Sequence, residues 1–168
     1  MAHTSPTYVI FDGDNDAWAY RFMKGWKANE HVDFDFRDAH DLDSMTGRAQ
    51  DEAYVKRNLR GRMEAASAVI VLVGEKPRWL YKSVRWELAL ALTLGLPIIS
   101  VSLNNSRLID TDFCPPIIRD KCVVNVPFKM KAIRHALDGW PSEFRNLTAI
   151  EREGGPRSYS TDTYKSFF

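Results

Sequence analysis

The chain has 168 residues, of which 45% are hydrophobic and 12% aromatic, and this length predicts one domain with a sizeable core. Its 23 Lys and Arg residues nearly balance its 22 Asp and Glu residues, so the charge gives no indication of a nucleic-acid partner. The sequence has neither an apolar run long enough to span a membrane nor a signal-peptide pattern, which predicts a soluble, cytoplasmic protein with no membrane partner.

The first half of the chain alternates strand and helix patterns. A short apolar run at Tyr8–Phe11 predicts a strand, and the polar turn Asp12–Asp16 follows it. Asn15 or Asp16 is a candidate N-cap for a helix whose apolar residues recur at helical spacing. The period-two pattern of His31–Phe36 predicts a strand near the sheet edge. A helix from Gln50 and a buried strand at Ala68–Val73 come next.

The second half is organised around the stretch Ser83–Ser100, which has the pattern of a buried helix followed by a buried strand. Ser83 is a candidate N-cap, Gly95 occupies the position of a left-handed C-cap, and Pro97 forbids further helix. The apolar run from Ile98 to Leu103 predicts the next strand.

The remaining elements are weaker in pattern. The sequence predicts a last strand at Val123–Val126 and a last helix at Met130–Trp140, and the helical pattern fades after Pro141. Cys114 and Cys122 lie outside any CxxC spacing, which favours two idle thiols over a disulfide or a metal site.

Five strands alternating with helices predict an α/β fold with an open, mostly parallel sheet covered by helices on both faces. We expect the main domain to span residues 1–145 and a C-terminal extension to occupy residues 146–168. Ligands bind such sheets beyond the carboxyl ends of the strands, where strand order reverses. A candidate site is therefore expected in the loops that follow the strands.

The acidic turn Asp12–Asp16 is compatible with several chemistries. It opens like a calcium loop, but Ala17 replaces the required glycine and Met23 replaces the last glutamate. It resembles the nucleophile loop of haloacid-dehalogenase phosphatases, although Asp16 departs from that motif. It also resembles the opening of response-regulator receivers, whose phosphorylated aspartate is replaced here by Gly74. An aspartate-rich turn that caps a helix explains the same residues without any catalysis.

Glu87 stands near the front of the Ser83 helix, beside Trp86. The helix dipole alone favours a carboxylate there, by about 0.3–1 kcal/mol when the group is exposed. The front of this helix is also predicted to open at the ligand-binding edge of the sheet, together with Asp12, Asp14 and Trp79. This placement is compatible with a structural role for Glu87 and with a functional one.

Four segments carry a resemblance to a known family. The segments are Tyr-Val-Ile-Phe-Asp-Gly-Asp, which starts at Tyr8, Val-Ile-Val-Leu-Val-Gly, which starts at Val69, Lys-Ser-Val-Arg-Trp-Glu-Leu, which starts at Lys82, and Gly-Leu-Pro-Ile-Ile-Ser-Val, which starts at Gly95. With them the chain resembles the TIR-like family that includes the TIR-like component of the bacterial Thoeris anti-phage system. The resemblance covers about residues 8–140, and its most specific part is the Val-x-Trp-Glu block.

The resemblance implies a flavodoxin-like TIR fold and cleavage of the nicotinamide–ribose bond of NAD⁺, with a cyclic ADP-ribose-type product. Glu87 matches the catalytic glutamate of the family, and Phe11 matches an aromatic residue that lines the site. Including Phe11, the residues expected to contact the substrate are Phe11, Asp12, Asp14, Asn15, Asp38, Ser44, Gly74, Trp79 and Trp86. Helix-front N–H groups near Asn15 or Ser44 are candidates for the pyrophosphate. We expect NAD⁺ as substrate, with no metal and no separate cofactor.

The resemblance also implies partners. The signal would pass to a separate effector protein, a phage-derived trigger would activate the enzyme, and activation would involve self-association. Two other functions are left open by the residues. One is a catalytically silent TIR-like interaction module, because fold does not dictate activity, and the more distant one is a metal-dependent phosphatase.

Overall fold

The computed structural model describes residues 6–13, 15–28, 37–38, 52–75 and 82–167. The strands are β1 (Pro6–Ile10), β2 (Arg37–Asp38), β3 (Ala68–Val73), β4 (Ile98–Ser102), β5 (Val124–Pro127) and β6 (Arg157–Ser158). The helices are α1 (Ala17–Ala28), α2 (Glu52–Glu64), α3 (Lys82–Thr93), α4 (Met130–Arg145), α5 (Ala149–Arg152) and α6 (Thr161–Lys165). The predicted strand at His31–Phe36 lies outside the described residues, and β2 follows it directly.

The strands form one sheet in the order β2-β1-β3-β4-β5-β6, and every described pairing is parallel. The α/β class with an open parallel sheet is therefore confirmed, and the two-residue strand β6 extends it by one strand. Strand order reverses between β1 and β3, which lie side by side with Tyr8 opposite Val69 and Ile10 opposite Val71. The carboxyl ends of these two strands flank the position where such folds bind ligands.

Two hydrophobic clusters cover the two faces of the sheet. One cluster joins α1, α4 and α6 to the sheet, and we call this side the α1/α4 face. The other joins α2 and α3 to the opposite side, the α2/α3 face. All six residues of β3 are buried, as its continuous apolar run predicts for a strand covered on both faces. Burying each large side chain of this kind contributes about 1.5–3 kcal/mol.

Helix α3 ends as its sequence predicts. Gly95 has a φ of +68°, the left-handed conformation that glycine adopts without a steric cost. Its N–H donates to the Leu92 carbonyl at 3.1 Å, and the Leu96 N–H donates to the Ala91 carbonyl at 3.1 Å. These two bonds satisfy carbonyls that the helix end leaves without partners. The prediction of Ser83 as N-cap is wrong, because the helix begins at Lys82 and Ser83 lies within its first turn.

Helix α4 is longer than predicted. It continues through Pro141 to Arg145, although proline removes one hydrogen bond from a helix interior. Trp140, Pro141 and Phe144 are all buried, and the rings of Trp140 and Phe144 lie 5.7 Å apart. Burial of these apolar side chains therefore outweighs the cost of the proline.

The predicted C-terminal extension has structure of its own. Thr148 and Glu151 form a capping box at the start of α5, which satisfies two N–H groups that the helix start leaves free. Strand β6 pairs with β5, and Tyr164 of α6 is buried in the cluster of the α1/α4 face. Cys114 and Cys122 are both buried, and no disulfide joins them. No helix in the described part of the chain is long and apolar enough to cross a membrane.

Candidate functional site

The turn after β1 is folded on itself by short-range hydrogen bonds. The Asp16 N–H donates to the Asp12 carbonyl at 2.8 Å, and Asn15 Nδ2 donates to Asp12 Oδ2 at 2.6 Å. Asp12 and Asp16 are both buried, and Asp16 immediately precedes α1. The positive end of the helix dipole favours carboxylates at this position. The acidic turn is therefore a compact structure at the carboxyl edge of β1.

Gly74, which follows the last residue of β3, lies next to the Asp16 carboxylate. A Cβ atom placed on Gly74 would lie 2.2 Å from Asp16 Oδ1 and 2.6 Å from Asp16 Cγ, far inside any contact distance. Glycine at this position lets the Asp16 side chain approach the backbone closely. This contact joins the turn after β1 to the end of β3 across the point where strand order reverses.

We expect Gly74→Ala to lower the free energy of unfolding by about 1–3 kcal/mol, because the new methyl group forces the Asp16 carboxylate and its turn to move. The matched control is Gly13→Ala, since a Cβ at Gly13 would meet nothing within 4 Å. Chemical denaturation of the two variants measures the difference. Equal stability of Gly74→Ala and Gly13→Ala would show that the position of the Asp16 carboxylate does not depend on the absence of a side chain at Gly74.

A cavity of about 310 Å³ opens at this edge of the sheet. Its lining residues are Asn15, Asp16, Trp18, Gly74, Glu75 and Leu103. They come from the ends of β1, β3 and β4 and from the start of α1, which is the placement expected for a ligand site in an open parallel sheet. Of the predicted substrate contacts, Asn15 and Gly74 line this cavity, and Asp12 is bonded to Asn15.

Glu87 lies in the second turn of α3, about 7.5 Å along the axis from the first helical residue. Its side chain is only 5% exposed, and Tyr8 Oη donates a hydrogen bond to Glu87 Oε2 at 2.5 Å. Burial raises the pKa of the Glu87 carboxyl to about 7, and the hydrogen bond from Tyr8 opposes part of that rise. Strongly perturbed carboxyl groups of this kind concentrate at functional sites.

Two of the three aromatic residues predicted to contact the substrate, Phe11 and Trp86, have packing partners in the described part of the chain. The ring of Phe11 stacks on that of Tyr20 at 4.7 Å, and Phe11 packs against the cluster of the α1/α4 face. Trp86 packs against the other cluster, with Lys56 Nζ 5.3 Å from the centre of its ring.

The described residues thus divide the predicted site between two faces of the sheet. Phe11 and the cavity beside Asn15 belong with the α1/α4 face. Glu87 bonds to Tyr8, which belongs to the cluster of the α2/α3 face, and Glu87 is not among the residues that line the cavity. Asp14, Ser44 and Trp79 lie outside the described residues, and Asp38 is described only as the last residue of β2.

Sequence reasoning missed two residues that the geometry makes prominent. Asp16 was predicted only as a cap, but its contact with Gly74 shapes the cavity. Tyr8 was predicted only as a strand residue, but its hydroxyl bonds to Glu87. A tyrosine within a buried strand is a usable signal, because a buried phenol usually has a hydrogen-bond partner.

Comparison with known proteins supports the assignment of the fold. No curated protein matches the chain significantly. The family described as Thoeris protein ThsB, TIR-like domain, matches residues 8–107. This range runs from the middle of β1 through β4 and includes the acidic turn, Gly74 and Glu87, and it covers more than half of the chain. The chain therefore belongs to the family of ThsB TIR-like domains of the Thoeris defence system.

Proposed function

We propose that this protein cleaves the nicotinamide–ribose bond of NAD⁺ and forms a cyclic ADP-ribose-type signal during anti-phage defence. The signal would act on a separate effector protein. The observation that carries the proposal is Glu87, a buried carboxyl held by a hydrogen bond on the helix that follows β3. The family match supports the same conclusion.

The chemistry suits a preorganised carboxylate. Breaking the N-glycosidic bond develops positive charge on the ribose, and a fixed carboxylate stabilises this transition state electrostatically. Nicotinamide leaves as a neutral molecule, so the reaction needs no general acid. In cyclisation, a nucleophilic group of the substrate itself attacks the ribose in place of water. A closed aromatic site favours cyclisation because it excludes solvent.

The acidic turn limits which part of the substrate binds beside it. Asp12 and Asp16 are buried carboxyl groups at the front of α1, and carboxylates there would repel a pyrophosphate. We therefore assign hydroxyl groups of the substrate, which donate hydrogen bonds, to the cavity beside Asn15 and Asp16. The remaining predicted contacts (Phe11, Asp14, Asp38, Ser44, Gly74, Trp79 and Trp86) stay assigned to NAD⁺ as part of this proposal.

Access to Glu87 is restricted. Glu87 is only 5% exposed, and a ribose would contact its carboxylate more fully if neighbouring groups moved. We propose that the resting protein has little turnover and that a phage-derived trigger, through self-association, opens the site. This is regulation by a shift between two conformations, only one of which binds substrate productively.

A catalytically silent interaction module is the second candidate function. It is favoured by Trp18 and Phe22 on α1, which are 41% and 56% exposed and lie edge to face at 6.1 Å. Exposed aromatic groups of this kind are common in protein–protein contacts. A silent module would associate without consuming NAD⁺, whereas the proposed enzyme would do both.

The test is to incubate the purified protein with NAD⁺, with and without extract from phage-infected cells, and to quantify nicotinamide release. We expect release to rise with the infected-cell extract and with protein concentration. Light scattering on the same samples reports association. Association without nicotinamide release would favour the silent module over the enzyme.

We expect EDTA to leave the rate of NAD⁺ cleavage unchanged, because the proposed stabilisation of the ribose cation comes from Glu87 itself. Nicotinamide release is measured with EDTA and again after addition of Mg²⁺. Loss of turnover in EDTA that Mg²⁺ restores would instead support metal chemistry at the acidic turn.

A further inference from the structure

Tyr8 is a polar residue in the hydrophobic core. It lies in the middle of β1, paired in register with Val69, and its side chain is 0% exposed. It belongs to the cluster of the α2/α3 face, together with Leu88 of α3. Phenylalanine would bury the same ring at this position without a polar atom. The hydroxyl is therefore the part of Tyr8 that packing does not explain.

The partner of this hydroxyl is the candidate catalytic group. Tyr8 Oη donates to Glu87 Oε2 across 79 residues of sequence, and the bond is buried. A hydrogen bond to an ionised carboxylate is about twice as strong as a neutral one. The bond joins the central part of a strand to the second turn of a helix.

The surroundings give this bond a positioning effect. Val84, Leu88 and Ala91 are buried on the same helix, so the backbone of α3 is held against the sheet. Packing of the helix does not by itself fix the end of a glutamate side chain, because the terminal torsion is broad. A hydrogen bond from the interior of β1 fixes that end as well.

We propose that Tyr8 is a positioning residue, which orients the Glu87 carboxylate for the reaction through its hydroxyl. This inference rests on the proposed function. Tyr8 does not contact the reacting atoms in this assignment. It holds Glu87 in one orientation and favours its ionised form, since a donated hydrogen bond stabilises the charged acceptor.

The experiment compares Tyr8→Phe with Tyr164→Phe. Both residues are almost fully buried, at 0% and 1% exposure, and both variants keep the ring. Within the described part of the chain, the Tyr164 hydroxyl has no hydrogen-bond partner. Tyr164→Phe therefore controls for loss of a buried hydroxyl from a tyrosine that does not touch Glu87.

We expect Tyr8→Phe to lower kcat for nicotinamide release about tenfold or more, the size expected for a hydrogen bond to a charged group, with little change in KM. The pH–rate profile should rise at higher pH than in the wild type. In a Glu87→Gln background, Tyr8→Phe should have no further effect on turnover. Tyr164→Phe should match the wild type in kcat, in KM and in the pH–rate profile.

NMR titration of the Glu87 carboxyl, assigned with Glu87→Gln, gives a readout that does not depend on turnover. We expect its midpoint to move to higher pH in Tyr8→Phe and to stay in place in Tyr164→Phe. An unchanged midpoint in Tyr8→Phe would overturn the positioning role. If the wild type releases no nicotinamide under any condition, the proposed function fails, and the titration still decides whether Tyr8 controls Glu87.

Discussion

Glu87→Gln is expected to reduce NAD⁺ turnover by at least about a hundredfold, which is the cost of losing one preorganised electrostatic group. Glutamine has nearly the same shape as glutamate. Its amide oxygen can still accept the hydrogen bond that Tyr8 Oη donates, so this buried contact is retained. Only the negative charge is removed. The effect should fall on kcat, because the charge stabilises the transition state more than the bound substrate.

The appropriate control is a change at an exposed glutamate outside the site, and Glu153→Gln provides it. Glu153 is the C-cap residue of α5, so its charge has no part in the proposed reaction. Circular dichroism should show both variants folded. Near-normal turnover by a folded Glu87→Gln protein would remove Glu87 from the mechanism.

Glu87→Gln is also expected to change how stability depends on pH. The pKa of the Glu87 carboxyl is raised to about 7 from an ordinary value of 4.5, chiefly because burial disfavours the charged form. Below pH 4.5 the group is protonated in both the folded and the unfolded protein and has no effect on the pH dependence. As the pH rises towards 7, the unfolded state releases this proton first, and the wild type loses stability.

The difference between the two proteins isolates this titration, because all other groups are shared. Each pKa unit corresponds to about 1.4 kcal/mol, so the variant should gain on the order of 2–3 kcal/mol over the wild type between pH 4.5 and pH 8. Urea denaturation across that range measures it. A difference that stays constant with pH would mean that the carboxyl is not desolvated in the folded protein.

The sequence predicted those elements whose signals are local. The apolar run Ala68–Val73 became β3 with the same bounds, because a short, continuous apolar run rich in Val and Ile is typical of a strand covered on both faces. Gly95 was predicted as a C-cap for a reason that depends only on its own backbone. The predicted end of α4 was wrong because tertiary packing decides it, as the buried Phe144 beyond Pro141 shows.

The site was harder to predict because it depends on distances across the fold. The sequence predicted that the ends of β1 and β3 would meet, and the contact between Gly74 and Asp16 fulfils this. It did not predict Tyr8 as the partner of Glu87, because 79 residues separate them and no spacing rule joins a strand interior to a later helix. It also gave no means to tell which sheet face each residue would occupy, which separates Phe11 from Glu87.

The measurement that tests the central claim most directly is mass spectrometry of NAD⁺ after incubation with the wild-type protein and extract from phage-infected cells. We predict that the wild type forms equal amounts of nicotinamide and of an ADP-ribose product that is lighter than ADP-ribose by one water molecule. Glu87→Gln should form both at least about a hundredfold more slowly. NAD⁺ left intact by the wild type, or cleaved equally by Glu87→Gln, would contradict the assignment.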